Sequence, residues 1–181
     1  MHASVAMAKD FATKAHEGQT RKYNDAPYIS HPVSVAKILK MAAYCTIEME
    51  AAAYLHDTVE DTAATLQDIF DIFGVDIFNH VDFLTDISTL EDGNREICKR
   101  IDREHIAKAP AGTKTIKLGD IIHNTHDIVL FDLDFAVTYL KEKALLLAVL
   151  KEGDETLWRL AYDLLIFWAT RLDINIVDPL E

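Results

Sequence analysis

Ala51-Ala52-Ala53-Tyr54-Leu55-His56-Asp57-Thr58-Val59-Glu60-Asp61 runs apolar for five residues and then places five polar or ionisable side chains in six positions. The apolar run reads as a buried helix. On a continuous helix, residues three and four apart are neighbours, so Asp57 and Glu60, His56 and Glu60, and Asp57 and Asp61 form facing pairs. Three carboxylates and an imidazole on one or two turns repel one another unless a positive charge sits among them. A divalent cation meets that need, because it accepts both carboxylate oxygen and neutral imidazole nitrogen.

The same helical period extends in both directions from this stretch. Val5, Ala8, Phe11, Ala12 and Ala15 mark a helix over residues 2–16. A polar loop from Glu17 to Pro27 leads to Tyr28-Ile29-Ser30-His31-Pro32, where Pro32 suits the first turn of a second helix, with Ser30 or His31 near its cap. That helix runs to about Tyr44, and Thr46 caps the next, which carries the His56-Asp57 face. Further helices are predicted at about 65–73, 75–86, 91–109, 113–130, 133–152 and 154–172, punctuated by Gly74, Pro110-Ala111-Gly112 and Gly153-Asp154. No strand-length alternation and no internal repeat is visible. The expectation is an all-α fold, a compact single domain of about eight or nine helices over residues 1–181. The site motifs lie within 16–124, and the helices of about 130–175 serve packing.

With 181 residues, half of them apolar, the chain can bury a sizeable core and is not disordered. Cys45 and Cys98 lack metal-finger or CxxC spacing and read as buried thiols in a reducing cytoplasm. The opening residues lack the pattern of a signal peptide, and Leu164–Ala169 is too short to cross a bilayer, so a soluble cytoplasmic protein is expected. A formal net charge of -12 argues against nucleic acid or an anionic membrane as partner. A small phosphorylated substrate stays open, because a metal and a few Lys and Arg residues invert the charge locally.

Four more places join the opening stretch. His16 ends the first helix, Arg21-Lys22 lies in the loop, and His31 opens the second helix. In Lys117-Leu118-Gly119-Asp120-Ile121-Ile122-His123-Asn124, Asp120 and Asn124 share a helix face and Lys117 sits one turn before Asp120. Singly, each has a plain structural reading: a helix-start His, a solvated loop pair, or a partly buried Asp held by a salt bridge. Taken together, a His, a His-Asp pair and a distant helical Asp form a mixed nitrogen and oxygen ligand set. Such a set suits Mn²⁺, Fe²⁺, Co²⁺ or Zn²⁺ better than Ca²⁺ or Mg²⁺.

On these motifs the chain resembles the HD-domain metal-dependent phosphohydrolases, and more narrowly the hydrolase domain of the RelA/SpoT homologues. The matching segments are His16–Lys22, Pro27–Pro32 with Val35-Ala36, Leu55–Thr62, and Ile116–Asn124, in that order. No room remains for a synthetase domain, so the resemblance is to the stand-alone small alarmone hydrolases. It implies that His31, His56, Asp57 and Asp120 hold one divalent metal, Mn²⁺, with Glu60 and Asp61 as the catalytic pair beside an activated water. Arg21 and Lys22 would clamp phosphates, Asn124 would meet the nucleotide, and Lys99, Arg100 and Lys117 would be further substrate-binding neighbours.

The implied reaction, part of the stringent response, is hydrolysis of the 3′-pyrophosphate of guanosine 3′,5′-bis-pyrophosphate (ppGpp) or its pentaphosphate relative (pppGpp). The products would be GDP or GTP and pyrophosphate. Gly119 stands where the family usually has Ala, Thr125-His126 replaces a commoner segment with Arg, and Asn24-Asp25-Ala26 replaces a glycine-containing turn. The alternatives are an HD-type enzyme for another nucleotide, such as an NADPH 2′-phosphatase or nucleotidase, or a non-catalytic nucleotide-binding module. Homo-oligomer formation is left open; the C-terminal Trp158, Phe167 and Trp168 read as core rather than subunit contact.

Overall fold

Helix ends form where short polar side chains offer a cap. The computed structural model describes residues 2–180. Its helices are α1 (Ala3–Ala15), α2 (Ser30–Ile38, extended by a tight turn at Leu39–Met41), α3 (Ile47–Leu55), α4 (Thr58–Asp61), α5 (Leu66–Phe73), α6 (Val75–Leu84), α7 (Arg95–Ile106), α8 (Ala111–Phe131), α9 (Leu133–Val149) and α10 (Glu155–Arg171). Among the described residues there is no strand, only an isolated bridge between Thr20 and Pro27 in the loop after α1. The all-α expectation holds.

Thr46 Oγ1 accepts the Met49 N–H at 3.1 Å and starts α3. Thr65 and Asp68 form a reciprocal capping box at the start of α5. Gly74, at φ 81, separates α5 from α6, a turn that a side chain would strain. Two boundaries differ from expectation. α7 begins at Arg95 rather than near 91, because Asn94 accepts the Ile97 N–H while Thr89 and Asp92 close a turn of their own. α2 begins at Ser30 with Ile29 as its cap residue and no side-chain capping bond, so neither Ser30 nor His31 caps it.

The opening stretch is not one continuous helix, although Asp57 and Asp61 still share a face, the Asp61 N–H donating to the Asp57 carbonyl at 2.9 Å. α3 ends at Leu55, and α4 is a separate single turn that starts after Asp57, whose backbone sits at φ -99, ψ -4. Thr58 Oγ1 donates to the Leu55 carbonyl at 2.6 Å, satisfying an acceptor freed by the break. The break brings the α-helical segments among the described residues to ten.

Ala51, Ala52, Ala53, Tyr54 and Leu55 are all buried, and the small alanines let α3 sit between α1, α2, α6 and α8. α8 packs on α2, α3, α6, α9 and α10. Gly119 marks its closest approach to α2, since a Cβ there would lie 2.8 Å from Leu39 Cδ1 and 3.3 Å from Val35 Cγ1. α9 and α10 back α8 with Leu140, Leu147, Leu157 and Leu165, each buried side chain contributing about 1.5–3 kcal/mol. Trp158 is core, its indole N–H donating to the Leu147 carbonyl at 2.9 Å. Phe167, expected in the core, is 57% exposed. Cys45 and Cys98 are free and half-buried rather than buried. No helix among the described residues is long and apolar enough to cross a membrane.

Candidate metal centre

Three helices meet so that four chemically suited side chains converge. His31 comes from α2, Asp120 from α8, and His56 and Asp57 from the break between α3 and α4. His31 Nε2 lies 3.2 Å from His56 Nε2, 3.2 Å from Asp120 Oδ1 and 3.4 Å from Asp57 Oδ2. His56 Nε2 lies 3.1 Å from Asp57 Oδ1 and 3.8 Å from Asp120 Oδ1. Donors each about 2.1 Å from a shared ion stand roughly 3 Å apart, so the spacing of His31, His56 and Asp57 fits one divalent cation, with Asp120 bordering both imidazoles. His31, His56 and Asp120 are buried, which keeps the donors out of water.

The outer nitrogens of the two imidazoles orient them. His56 Nδ1 is 2.9 Å from the Ala53 carbonyl, so it carries the proton and leaves Nε2 with a lone pair facing the cluster. His31 Nδ1 is 2.9 Å from His123 Nδ1. Burial first, then His31 and Arg21, hold His123 down at about 4, so it is neutral and can accept the His31 Nδ1 proton. That tautomer points a lone pair of His31 inward as well. With no ion, burial favours neutral His56, but Asp57 and Asp120 outweigh it and raise His56 to about 9. Burial opposes the Asp120 charge, yet Lys117 at 3.1 Å and the imidazoles hold its carboxyl well below the usual range.

The Glu60 and Asp61 carboxylates diverge. Glu60 is an exposed residue, and its Oε1 accepts the Asp86 N–H at 2.6 Å. Poor solvation there outweighs the nearby Lys117 and pushes its pKa up to about 7. Asp61 Oδ2 and Asp57 Oδ2 each lie 2.7 Å from the Tyr28 hydroxyl, which has one proton and donates to one of them at a time. The Tyr28 ring stacks on His16 at 4.5 Å, and His16 bonds Gln19, whose amide donates to the Asp61 carbonyl. Tyr28 and His123 lie inside the motifs but drew no role from sequence. The usable signal for each was a polar aromatic ring within one turn of an expected ligand.

The cations divide. Arg21 donates to Asn124 Oδ1 at 2.8 Å and to Asp127 Oδ2 at 3.0 Å, while Asn124 donates to Asp120 Oδ1 at 2.6 Å. Arg21 and Asn124 therefore border the cluster. Lys22 is 70% exposed and holds Asp132, away from it. Lys117 touches Asp120, Lys99 pairs with Asp86 and Asp102, and Arg100 lines an outer groove between α7 and α9.

A model of the HD domain matches residues 8–117, which include His31, His56, Asp57, Glu60 and Asp61. The chain belongs to the HD-domain family. Among HD-domain relatives, it is 40% identical over 128 residues to the guanosine-3′,5′-bis(diphosphate) 3′-pyrophosphohydrolase MESH1 of Homo sapiens, covering 70% of each chain. The enzyme of the same name from Drosophila melanogaster is 38% identical over 120 residues, 65% of each chain. The HD fold here also superposes on a solved metazoan ortholog of SpoT, described as hydrolysing ppGpp and acting in starvation responses. That match has a TM-score of 0.83 at 26% identity and covers 92% of this chain and 96% of the other.

Proposed function

We propose that this HD-domain chain is a cytoplasmic, metal-dependent phosphohydrolase that cleaves the 3′-pyrophosphate from ppGpp or pppGpp, ending an alarmone signal. The observation that carries the reading is the convergence of His31, His56, Asp57 and Asp120 at ion-ligand spacing, with both imidazoles oriented from behind. The relatives named for this reaction supply the substrate. These four residues would hold the ion, with Mn²⁺ chosen for the mixed nitrogen and carboxylate set. A divalent ion there supplies Lewis acidity, lowering the pKa of a bound water and offsetting phosphate charge.

The chain's own groups do the rest. Glu60, with its pKa near neutrality, accepts the proton of the attacking water. Asp61, fixed by Tyr28 and Gln19, helps to orient that water. A bond forms from the water oxygen to the phosphorus on O3′, and the P–O3′ bond breaks with its electron pair on the 3′-oxygen. That oxygen takes a proton from solvent, while Glu60 later returns its own to solvent. Arg21 meets developing phosphate charge, because its guanidinium is already held in place by Asn124 and Asp127. Lys22 contributes only by leaving Asp132. Neither Cys45 nor Cys98 reaches the cluster, which fits direct attack by water without a covalent enzyme intermediate.

The test is product analysis with Mn²⁺ and ppGpp, with NADPH run in parallel and Asp57→Ala as control. GDP and pyrophosphate from the wild type alone support the reading. Phosphate from NADPH without alarmone turnover replaces the substrate, and silence on both removes the hydrolase reading.

A further inference from the structure

The Glu60 carboxylate is held by a loop. The Asp86 N–H, at 2.6 Å, gives it the one hydrogen bond it makes among the described residues. Asp86 belongs to the irregular segment 85–94 between α6 and α7. That segment has little apolar anchorage, since Ile87 is 51% exposed and Leu90 97%. A loop with few buried apolar contacts opens at low cost unless hydrogen bonds close it.

Asp102, on α7, supplies those bonds. Its carboxylate is buried, and Oδ1 accepts the Ile87 N–H at 3.1 Å and the Ser88 N–H at 2.9 Å. Oδ2 accepts from the Ser88 hydroxyl at 2.9 Å and from the Lys99 amine at 3.4 Å. Two consecutive amides on one oxygen fix the two planar peptides that follow Asp86. On the other side, the Thr85 N–H donates to the Val81 carbonyl at 3.0 Å and closes α6. The Asp86 N–H is thus bracketed between a helix end and a buried carboxylate, and it meets Glu60.

We propose that Asp102 is a positioning residue for hydrolysis, acting on Glu60 through the Asp86 N–H. None of its bonds reaches His31, His56, Asp57 or Asp120. Charge-assisted hydrogen bonds are roughly twice as strong as neutral ones, which suits a carboxylate that must hold one stretch of exposed loop still. A reacting group displaced by about 1 Å can lose on the order of 10² in rate. The inference rests on the reading of Glu60 as proton acceptor; the hold of Asp102 on the loop does not.

Two measurements test it. The first follows exchange of the Asp86 amide proton by NMR in the Zn²⁺-loaded protein, whose diamagnetic ion keeps the signals sharp. Asp102→Ala should speed that exchange about tenfold or more, whereas Asp102→Asn, which keeps an oxygen for both amides, should leave it slow. Asp92→Ala, which disturbs only the neighbouring Thr89–Asp92 turn, should not change it. The second measures kcat and KM with Mn²⁺ and ppGpp, or NADPH if that is what the protein cleaves. Asp102→Ala should lower kcat about 10–100-fold with KM and Mn²⁺ affinity within a few-fold of wild type, and Asp102→Asn should recover most of the loss. In a Glu60→Gln background the same Asp102→Ala change should cost little, because the group it positions is already gone. Circular dichroism checks folding, and Asp102→Leu, which fills the space without an acceptor, replaces alanine if that variant does not fold. Unchanged Asp86 exchange, or an equal loss of kcat with and without Glu60, overturns the proposal alone. Glu60→Gln at the wild-type rate overturns the Glu60 reading and this proposal together.

Discussion

The Nδ1 atoms of His31 and His123 lie 2.9 Å apart, so one imidazole in the cluster is oriented by another imidazole rather than by a carboxylate or a carbonyl. Neutral His123 accepts the proton that keeps His31 Nε2 free for an ion. His123→Ala removes that acceptor and lets the His31 ring turn. The variant should fold and bind Mn²⁺ about 10–100-fold more weakly than the wild type. Metal titration followed by electron paramagnetic resonance measures it, and unchanged affinity would remove His123 from this role.

Glu60 has a raised pKa, near 7, so its basic form is lost as pH falls from 7 toward the ordinary Glu value. A nearby bound cation favours the carboxylate and moves this limb lower, without changing its direction. Turnover should therefore climb with pH between about 4.5 and 7. Glu60→Gln should retain metal, lose on the order of 10²–10⁴ in rate, and lose that ascending limb. If the Glu60→Gln enzyme kept the wild-type profile, the proton would belong to another group.

Tyr28 links the metal-side carboxylate of Asp57 to Asp61 through one hydroxyl. Tyr28→Phe keeps the ring on His16 and removes the hydroxyl proton shared between the two acids. Turnover should fall about tenfold, with metal affinity within a few-fold of wild type, as expected when one charge-assisted hydrogen bond is lost. A rate equal to wild type would show that Asp61 needs no such support.

Gly119→Ala sets two effects against each other. Alanine favours a helix over glycine by about 1 kcal/mol, but its Cβ would lie 2.8 Å from Leu39 Cδ1 in a fully buried contact. Overpacking of this kind costs about 1–3 kcal/mol, so the variant should unfold at a lower temperature than wild type. A higher Tm would mean that α2 and α8 separate freely. The family departure at Gly119 is thus explained by how closely these two helices meet.

The helices and the meeting of the His and Asp side chains were legible because each rests on a local pattern. Thr46 and Thr65 announce helix starts, and His31, His56, Asp57 and Asp120 are ligand types inside recognisable segments. The break after Leu55 was not legible, since the apolar period gives no sign of it, although Thr58 closes it through a local side-chain bond to the Leu55 carbonyl. Arg21 and Lys22 are adjacent, and only the loop shape closed by the Thr20–Pro27 bridge sends one to Asn124 and the other to Asp132. Asp25, at φ 53, adopts the backbone that glycine provides in the commoner turn, so that departure is structural. Asp102 stood in a segment read only as a helix. Its hold on Ile87 and Ser88 requires the loop after α6 to fold back against α7.

The most direct test of the central claim is hydrolysis of ppGpp in ¹⁸O-labelled water with Mn²⁺, followed by mass spectrometry of both products. Attack on the phosphorus bound to O3′ predicts one ¹⁸O in pyrophosphate and none in GDP. Label in the GDP 3′-hydroxyl, release of single phosphates instead of pyrophosphate, or label uptake that persists in Asp57→Ala would contradict it.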